Sequence, residues 1–335
     1  MKTLPYRITF ITRLFCRFYY KRLSIHGTPS TTPTLYLASH RNGATDGYVF
    51  LQVLGNTPSL ISIQLLRHRY LRFFFDGIPV VRPKDRQRYG ISADSVPSPI
   101  YSAIEQIRQG GSLIIYPEGT SAWQHQPLPY QSGMAVIAAK LKAAGIPFNV
   151  QALGSFYSKP DGFRSRVSII LGETFTPQSN NIPDLQTELS AALNAVSVNC
   201  HDTEHFNHVQ ATAWQAAQSG EDYGKAFLRA QYAPENSLLK ILPPANRNHW
   251  AKYLFYLGFP FVVLAAQLTT RYADARNNIT FFRLLGGGAG LLLHAILWLI
   301  LFCYAPLIAS LWLIAGIIGW YDYPEPLPLP IKQGN

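Results

Sequence analysis

His40 and Asp46 stand six positions apart in Ser39-His40-Arg41-Asn42-Gly43-Ala44-Thr45-Asp46-Gly47. A carboxylate close to an imidazole fixes its tautomer and stabilises the imidazolium that forms when the ring takes a proton. The neutral ring is then a base for an alcohol whose oxygen attacks a carbonyl carbon. Taken alone, the pair fits equally a loop histidine followed by a helix-capping aspartate, so the blocks downstream carry the weight. Asp76-Gly77-Ile78-Pro79-Val80-Val81-Arg82 ends a strand-like run on an arginine, whose planar cation suits phosphate. Tyr116-Pro117-Glu118-Gly119-Thr120-Ser121 follows a second apolar run, with a glycine that permits close backbone approach. Gly154-Ser155 follows a third, Val150-Gln151-Ala152-Leu153.

In order and approximate spacing, these blocks over residues 20–180 resemble the glycerophospholipid acyltransferase family, the group that includes the lysophosphatidate acyltransferases. The resemblance implies that His40 is the general base and Asp46 its orienting carboxylate. It also implies that Arg82 with Glu118 and Gly119 holds the phosphate end of the acceptor, the ionised Glu118 by pairing Arg82 or bonding an acceptor hydroxyl, while Thr120 bonds nearby backbone or phosphate and Arg41 is a further candidate ligand. A structural ion pair is the alternative for Arg82 and Glu118. Two departures bear on these roles. Five residues separate His40 from Asp46 where the family has four, so the Asn42-Gly43 loop must absorb an insertion. Ser121-Ala122-Trp123 stands where the family commonly has a basic residue, which either a changed acceptor headgroup or phosphate binding by Arg41, Arg82, Lys84 or Arg86 would accommodate. The implied reaction moves a fatty acyl group from a thioester, acyl-CoA or acyl-carrier protein, to the hydroxyl of 1-acyl-sn-glycerol 3-phosphate. Glycerol 3-phosphate and other lyso-lipids are the alternative acceptors. The reaction needs no metal or other cofactor. A non-catalytic membrane protein binding anionic lipid is the competing class.

The elements expected to position these residues alternate. Strands are read at 24–26, 34–38, 78–81, 112–116, 148–153 and 167–171, and helices at 46–54, 100–109, 135–144, 185–198 and 209–232, with a polar loop at 83–98. This alternation predicts an α/β domain with a mixed, largely parallel sheet flanked by helices, and ligands bind beyond the carboxyl ends of such strands. His40 and Glu118 both follow strands at that end. The expected organisation is a basic amphipathic helix over 1–23, an acyltransferase domain over 24–200, a helical extension over 201–250, hydrophobic membrane-associated helices over 251–322, and a Pro-rich tail over 323–335.

Charge and hydropathy agree with a membrane-associated, phosphate-handling protein. The formal charge of +11 is concentrated in residues 1–88, which hold fourteen Lys/Arg against three Asp. Such a field suits a phosphate-bearing glycerolipid or an anionic lipid surface. No zinc pattern, RNA-binding aromatic motif or helix-turn-helix accompanies it, which argues against nucleic acid. No Gly-x-Ser-x-Gly elbow is present for a serine hydrolase. Three scattered cysteines suggest neither a disulfide framework nor a metal site.

Residues 6–23 carry too much charge to span a bilayer, and read either as an interfacial helix or as one packed on its own domain. In the tail, 284–303 is long enough for a transmembrane helix of about 20 residues, while 253–268 and 305–320 are marginal. Gly286-Gly287-Gly288 and Pro306 are expected to hinge or interrupt the helices. Basic residues at 247 and 252 and at 271, 276 and 283 flank the first run on both sides. The positive-inside tendency therefore predicts that 253–268 re-enters on the cytoplasmic side, where the catalytic domain also lies.

Overall fold

The computed structural model describes residues 1–81, 83–92, 98–241, 249–328 and 330–331. Among these residues the chain begins α1 (Tyr6–Tyr19), β1 (Arg22–His26), β2 (Thr34–Ala38), α2 (Thr45–Leu54), β3 (Leu60–Ser62), α3 (Ile63–Arg67), α4 (Leu71–Phe74) and β4 (Ile78–Val80). It continues α5 (Pro83–Tyr89), α6 (Pro99–Arg108), β5 (Leu113–Ile115), α7 (Gly133–Ala143), β6 (Asn149–Tyr157), β7 (Arg166–Phe175) and α8 (Ile182–Asn194). Helices α9 (Thr203–Gln218), α10 (Tyr223–Gln231), α11 (His249–Gly258), α12 (Pro260–Thr270), α13 (Ile279–Tyr304) and α14 (Pro306–Tyr321) complete it.

The main sheet has the order β1-β7-β6-β2-β5, parallel throughout except for the antiparallel β6–β7 pair. Strands β3 and β4 form a small parallel sheet that touches the edge of β5 through a Ser59–Ile114 bridge. This is the expected mixed, largely parallel α/β architecture. All five residues of β2 are buried, because helices cover both faces of the sheet. Leu35 and Leu37 face the core made with α6 to α10, whereas Tyr36 and Ala38 face the one made with α1 and α2.

Three local expectations change. Residues 83–89 form α5 in place of a loop, tied to α3 by Gln64 Nε2 donating to the buried Asp85 at 2.9 Å. The single helix expected over 209–232 is two, parted by Gly220 at φ +100°. Gly154-Ser155 lies inside β6, which runs on to Tyr157. Burial of β6 on both faces leaves no alternation to mark its end.

Helix α1 packs one face on the body and exposes the other. Ile8, Thr12, Phe15 and Tyr19 pack on the body, while Phe10, Leu14 and Phe18 are exposed beside Arg13 and Arg17. In the tail, the Gly286–Gly288 cluster does not break α13. Gly286 and Gly290 instead let α12 approach, since a Cβ on either would fall within 2.6 Å of the α12 backbone. Gly258 and Gly316 bring α11 onto α14 in the same way. The interruptions come at Phe259, where α11 and α12 meet at 99°, and at Ala305, before Pro306. Among the described residues, Arg276–Tyr304 is the one helix long and apolar enough to cross a membrane.

Gly154 tests how tightly β6 is held. A Cβ there would lie 1.6 Å from the Val196 carbonyl oxygen, so the chain after α8 must move to admit it. Gly154→Ala is expected to destabilise the body by about 3 kcal/mol, the upper end of ordinary overpacking, as a lowered thermal midpoint.

Candidate active site

Strand β2 delivers His40 to the carboxyl edge of the sheet. Ser39 fixes the exit: its N–H donates to Leu153 O at 2.9 Å, and its Oγ accepts from Ser155 N–H at 2.9 Å. His40 N–H then donates to Glu118 Oε1 at 2.8 Å, and His40 O accepts from Ala122 N–H at 3.1 Å. The Pro-Glu-Gly-Thr turn after β5 therefore holds the histidine's own backbone.

The His40 ring meets Asp46 despite the longer spacing, with Nδ1 2.9 Å from Oδ2. Gly43 absorbs the extra residue at φ +57°, a left-handed conformation that costs glycine least. Asp46 is fully buried at the start of α2. Besides the His40 ring, its carboxylate accepts from Asn42 N–H at 2.7 Å and from Tyr157 Oη at 2.6 Å. Burial and the Asp46 charge push the Tyr157 phenol well above its ordinary range, so it stays a donor. Both carboxylate oxygens are thus engaged, and the ring nitrogen of His40 that meets Asp46 is Nδ1 rather than Nε2. The Tyr116 ring packs against the imidazole at 4.5 Å between centroids.

His40 opens on a cleft of about 1130 Å³. Its polar end carries His40, Glu118, Gly119, Thr120 and Ser121, and Leu60, Phe74, Phe75, Met134 and Ile137 contribute apolar walls. The tail supplies another wall, from Tyr272, Asp274, Asn278, Phe281 and Phe282. Asn277 Nδ2 donates to Ser121 O at 2.8 Å and to Ser121 Oγ, so the α12–α13 link is bonded at the position where the expected basic residue is missing.

The expected substrate ligands divide. Gly119 and Thr120 are exposed on the cleft. Glu118 also lines it, but both of its oxygens are taken, Oε2 by Leu128 N–H at 3.1 Å. Burial raises the Glu118 carboxyl above its usual range, with the two backbone donors and Arg41 pulling the other way. Arg41 lies off the cleft lining, buried with its guanidinium 4.5 Å over the Trp123 ring and Nη2 donating to Gln124 O at 2.9 Å. Burial lowers its pKa, opposed chiefly by Glu118. Arg82 lies outside the described residues. Among the described residues, the Arg or Lys on the cleft lining is Arg88, from α5. Tyr157, Arg88 and the Asn277-Asn278 link were not singled out from sequence, because each reaches the site through tertiary packing rather than spacing.

Residues 22–151 match the family model described as Acyltransferase. Among solved structures, the 1-acyl-sn-glycerophosphate (LPA) acyltransferase PlsC from Thermotoga maritima is similar at 15% identity and a TM-score of 0.42, over 56% of this chain and 75% of that one. No curated protein compared with the chain matches it. The family match covers under half of the chain and shows an acyltransferase domain, within which the His/Asp and Pro-Glu-Gly-Thr blocks fall. The chain is an acyltransferase whose family match runs from β1 into β6.

Two variants probe this geometry. At Gly43, a Cβ would lie 2.5 Å from Asn278 Oδ1 and 2.8 Å from the Asn277 backbone oxygen. Gly43→Ala is expected to lower both stability and turnover, and adding Asn278→Ala is not expected to restore them, because the backbone clash remains. For Glu118, the raised folded-state pKa means that the folded chain binds the proton more tightly than the unfolded one. Stability from this group is present at low pH and falls as pH rises through that pKa. Thermal unfolding across this range should show the wild type losing stability relative to Glu118→Gln as pH increases.

Proposed function

We propose that this enzyme acylates the free hydroxyl of 1-acyl-sn-glycerol 3-phosphate, taking the acyl group from acyl-CoA or acyl-carrier protein, with His40 as general base. The observation that supports the reading is the anchoring of Asp46 by Asn42 and Tyr157, which holds its carboxylate against Nδ1 of a His40 that lines the cleft and leaves Nε2 for the role of base. Nε2 removes the hydroxyl proton as the oxygen attacks the thioester carbon. The tetrahedral intermediate then collapses, the C–S bond breaks, and the imidazolium returns its proton to the departing sulfur. Glu118 acts through the loop it bonds, holding His40 in place. Gly119 and Thr120 approach the acceptor at the polar end of the cleft, while Arg82 and Arg88 supply cations for its phosphate. The long apolar walls favour an acceptor that already carries one acyl chain over glycerol 3-phosphate. The hydrophobic tail holds the enzyme on the membrane that contains this substrate, with the catalytic body on the cytoplasmic side.

The test is turnover by purified full-length protein on a panel of 1-acylglycerol 3-phosphate, glycerol 3-phosphate and other lyso-lipids, with each donor. Wild type is expected to prefer 1-acylglycerol 3-phosphate, and His40→Ala to lose about 10²–10⁴-fold in kcat. Undiminished turnover by His40→Ala would remove the general-base assignment. Binding of anionic lipid without turnover on any acceptor would leave a lipid-binding protein instead.

A further inference from the structure

The tail is apolar enough to cross a bilayer, yet both of its ends return to the same body. At the start of α13, Thr280 Oγ1 donates to Pro160 O at 2.8 Å, and Arg283 bonds Asp161 O. At the end of α14, Trp320 Nε1 donates to Phe18 O at 2.9 Å and its ring stacks on Phe18. Just beyond, Tyr323 packs on Phe163 and Glu325 pairs with Arg166 at 2.8 Å. Between these anchors α13 and α14 form a hairpin, closed by Trp298 Nε1 donating to Ala309 O at 2.9 Å.

The supported part of the hairpin ends near His294. That ring lies 5.2 Å from Phe259, at the α11–α12 bend, and 5.0 Å from Trp312 on α14. Beyond this level the hairpin stands clear, with Leu299, Ile300, Tyr304, Leu307, Ile308 and Leu311 exposed. No Asp, Glu, Lys or Arg occurs anywhere in 284–320. From residue 295 to Tyr304 the free arm is ten residues of helix, about 15 Å at 1.5 Å per residue. The hydrocarbon core of a bilayer is about 30 Å thick, so an arm immersed from this level reaches about its middle. Pro306 opens α14 at the turn and brings no N–H that would need a partner in lipid. Tyr253, Tyr272 and Tyr321 are exposed toward the anchored end, as interfacial aromatics are. The exposed Phe10 and Leu14 of α1, set among Arg13 and Arg17, continue that surface from Phe18 and suit anionic headgroups.

We propose that the α13–α14 hairpin is re-entrant: it enters and leaves through a single leaflet, with Ala305 near the bilayer midplane and α1 lying at the headgroup level. The partner is one leaflet containing anionic lipid, and the hairpin does not reach the opposite face. This deepens the membrane association proposed above and is independent of which acceptor is acylated.

The chain carries its own probe. Cys303 is exposed at the tip of the hairpin, whereas Cys16 and Cys200 are buried. Full-length protein would be reconstituted with its body outside vesicles of phosphatidylcholine and phosphatidylglycerol, with Cys303→Ser as the background control. Flotation with the vesicles is the first readout. A membrane-impermeant maleimide, outside or trapped inside, is expected to label no more than the control until the protein is denatured. A bimane placed on Cys303 before reconstitution is expected to be quenched by lipids brominated deep in their chains. Labelling from inside would show a crossing, and labelling from outside a hairpin in water. Protection without quenching would show a second copy covering the tip. Each of these overturns the proposal, and failure to float overturns membrane association itself.

Discussion

The structure is organised around one buried carboxylate. Asp46 has no solvent to stabilise its charge, so the backbone of Asn42, the Tyr157 hydroxyl and the His40 ring must do it. These donors come from the loop after β2 and from the far end of β6. The carboxylate therefore fixes the distance between two neighbouring strands as well as the tautomer of the histidine. The same economy recurs at Glu118, whose two oxygens bind the His40 backbone and Leu128. Two acids of the sequence motifs thus act on the position of one imidazole, one through its ring and one through its backbone.

This arrangement explains why the altered spacing between His40 and Asp46 does no geometric harm. An extra residue would ordinarily carry the carboxylate past the ring. Gly43 takes up the excess by a left-handed turn, and the α12–α13 link packs over the result. The basic residue missing after Pro-Glu-Gly-Thr belongs to the same adjustment. Ser121 there is a bonding partner for Asn277, so that corner of the cleft is held by amide and hydroxyl groups from the tail.

Much of the α/β body was legible in the sequence, because its signals are local. The five residues of β2, the glycine stop after α6 and the apolar run of β5 each mark an element without reference to the rest of the chain. The His/Asp and Pro-Glu-Gly-Thr blocks were legible for the same reason. What sequence spacing did not convey depends on meeting at a distance. Tyr157 lies 111 positions from Asp46, and Asn277 lies 156 from Ser121. Arg41 shows the converse: the missing basic residue makes it a candidate ligand by sequence, while packing on Trp123 sets it off the cleft lining. By sequence the tail's glycines suggest a hinge or interruption, whereas α13 uses two of them to admit a neighbouring helix.

The α12–α13 link has a consequence for how this chain can change over time. It is joined at its ends to apolar helices and at its middle to the loops around the histidine. A substitution in it must satisfy two sets of neighbours at once. The catalytic body and its hydrophobic appendage are thus not interchangeable modules. Grafting either onto a different relative would carry the other's constraints along with it.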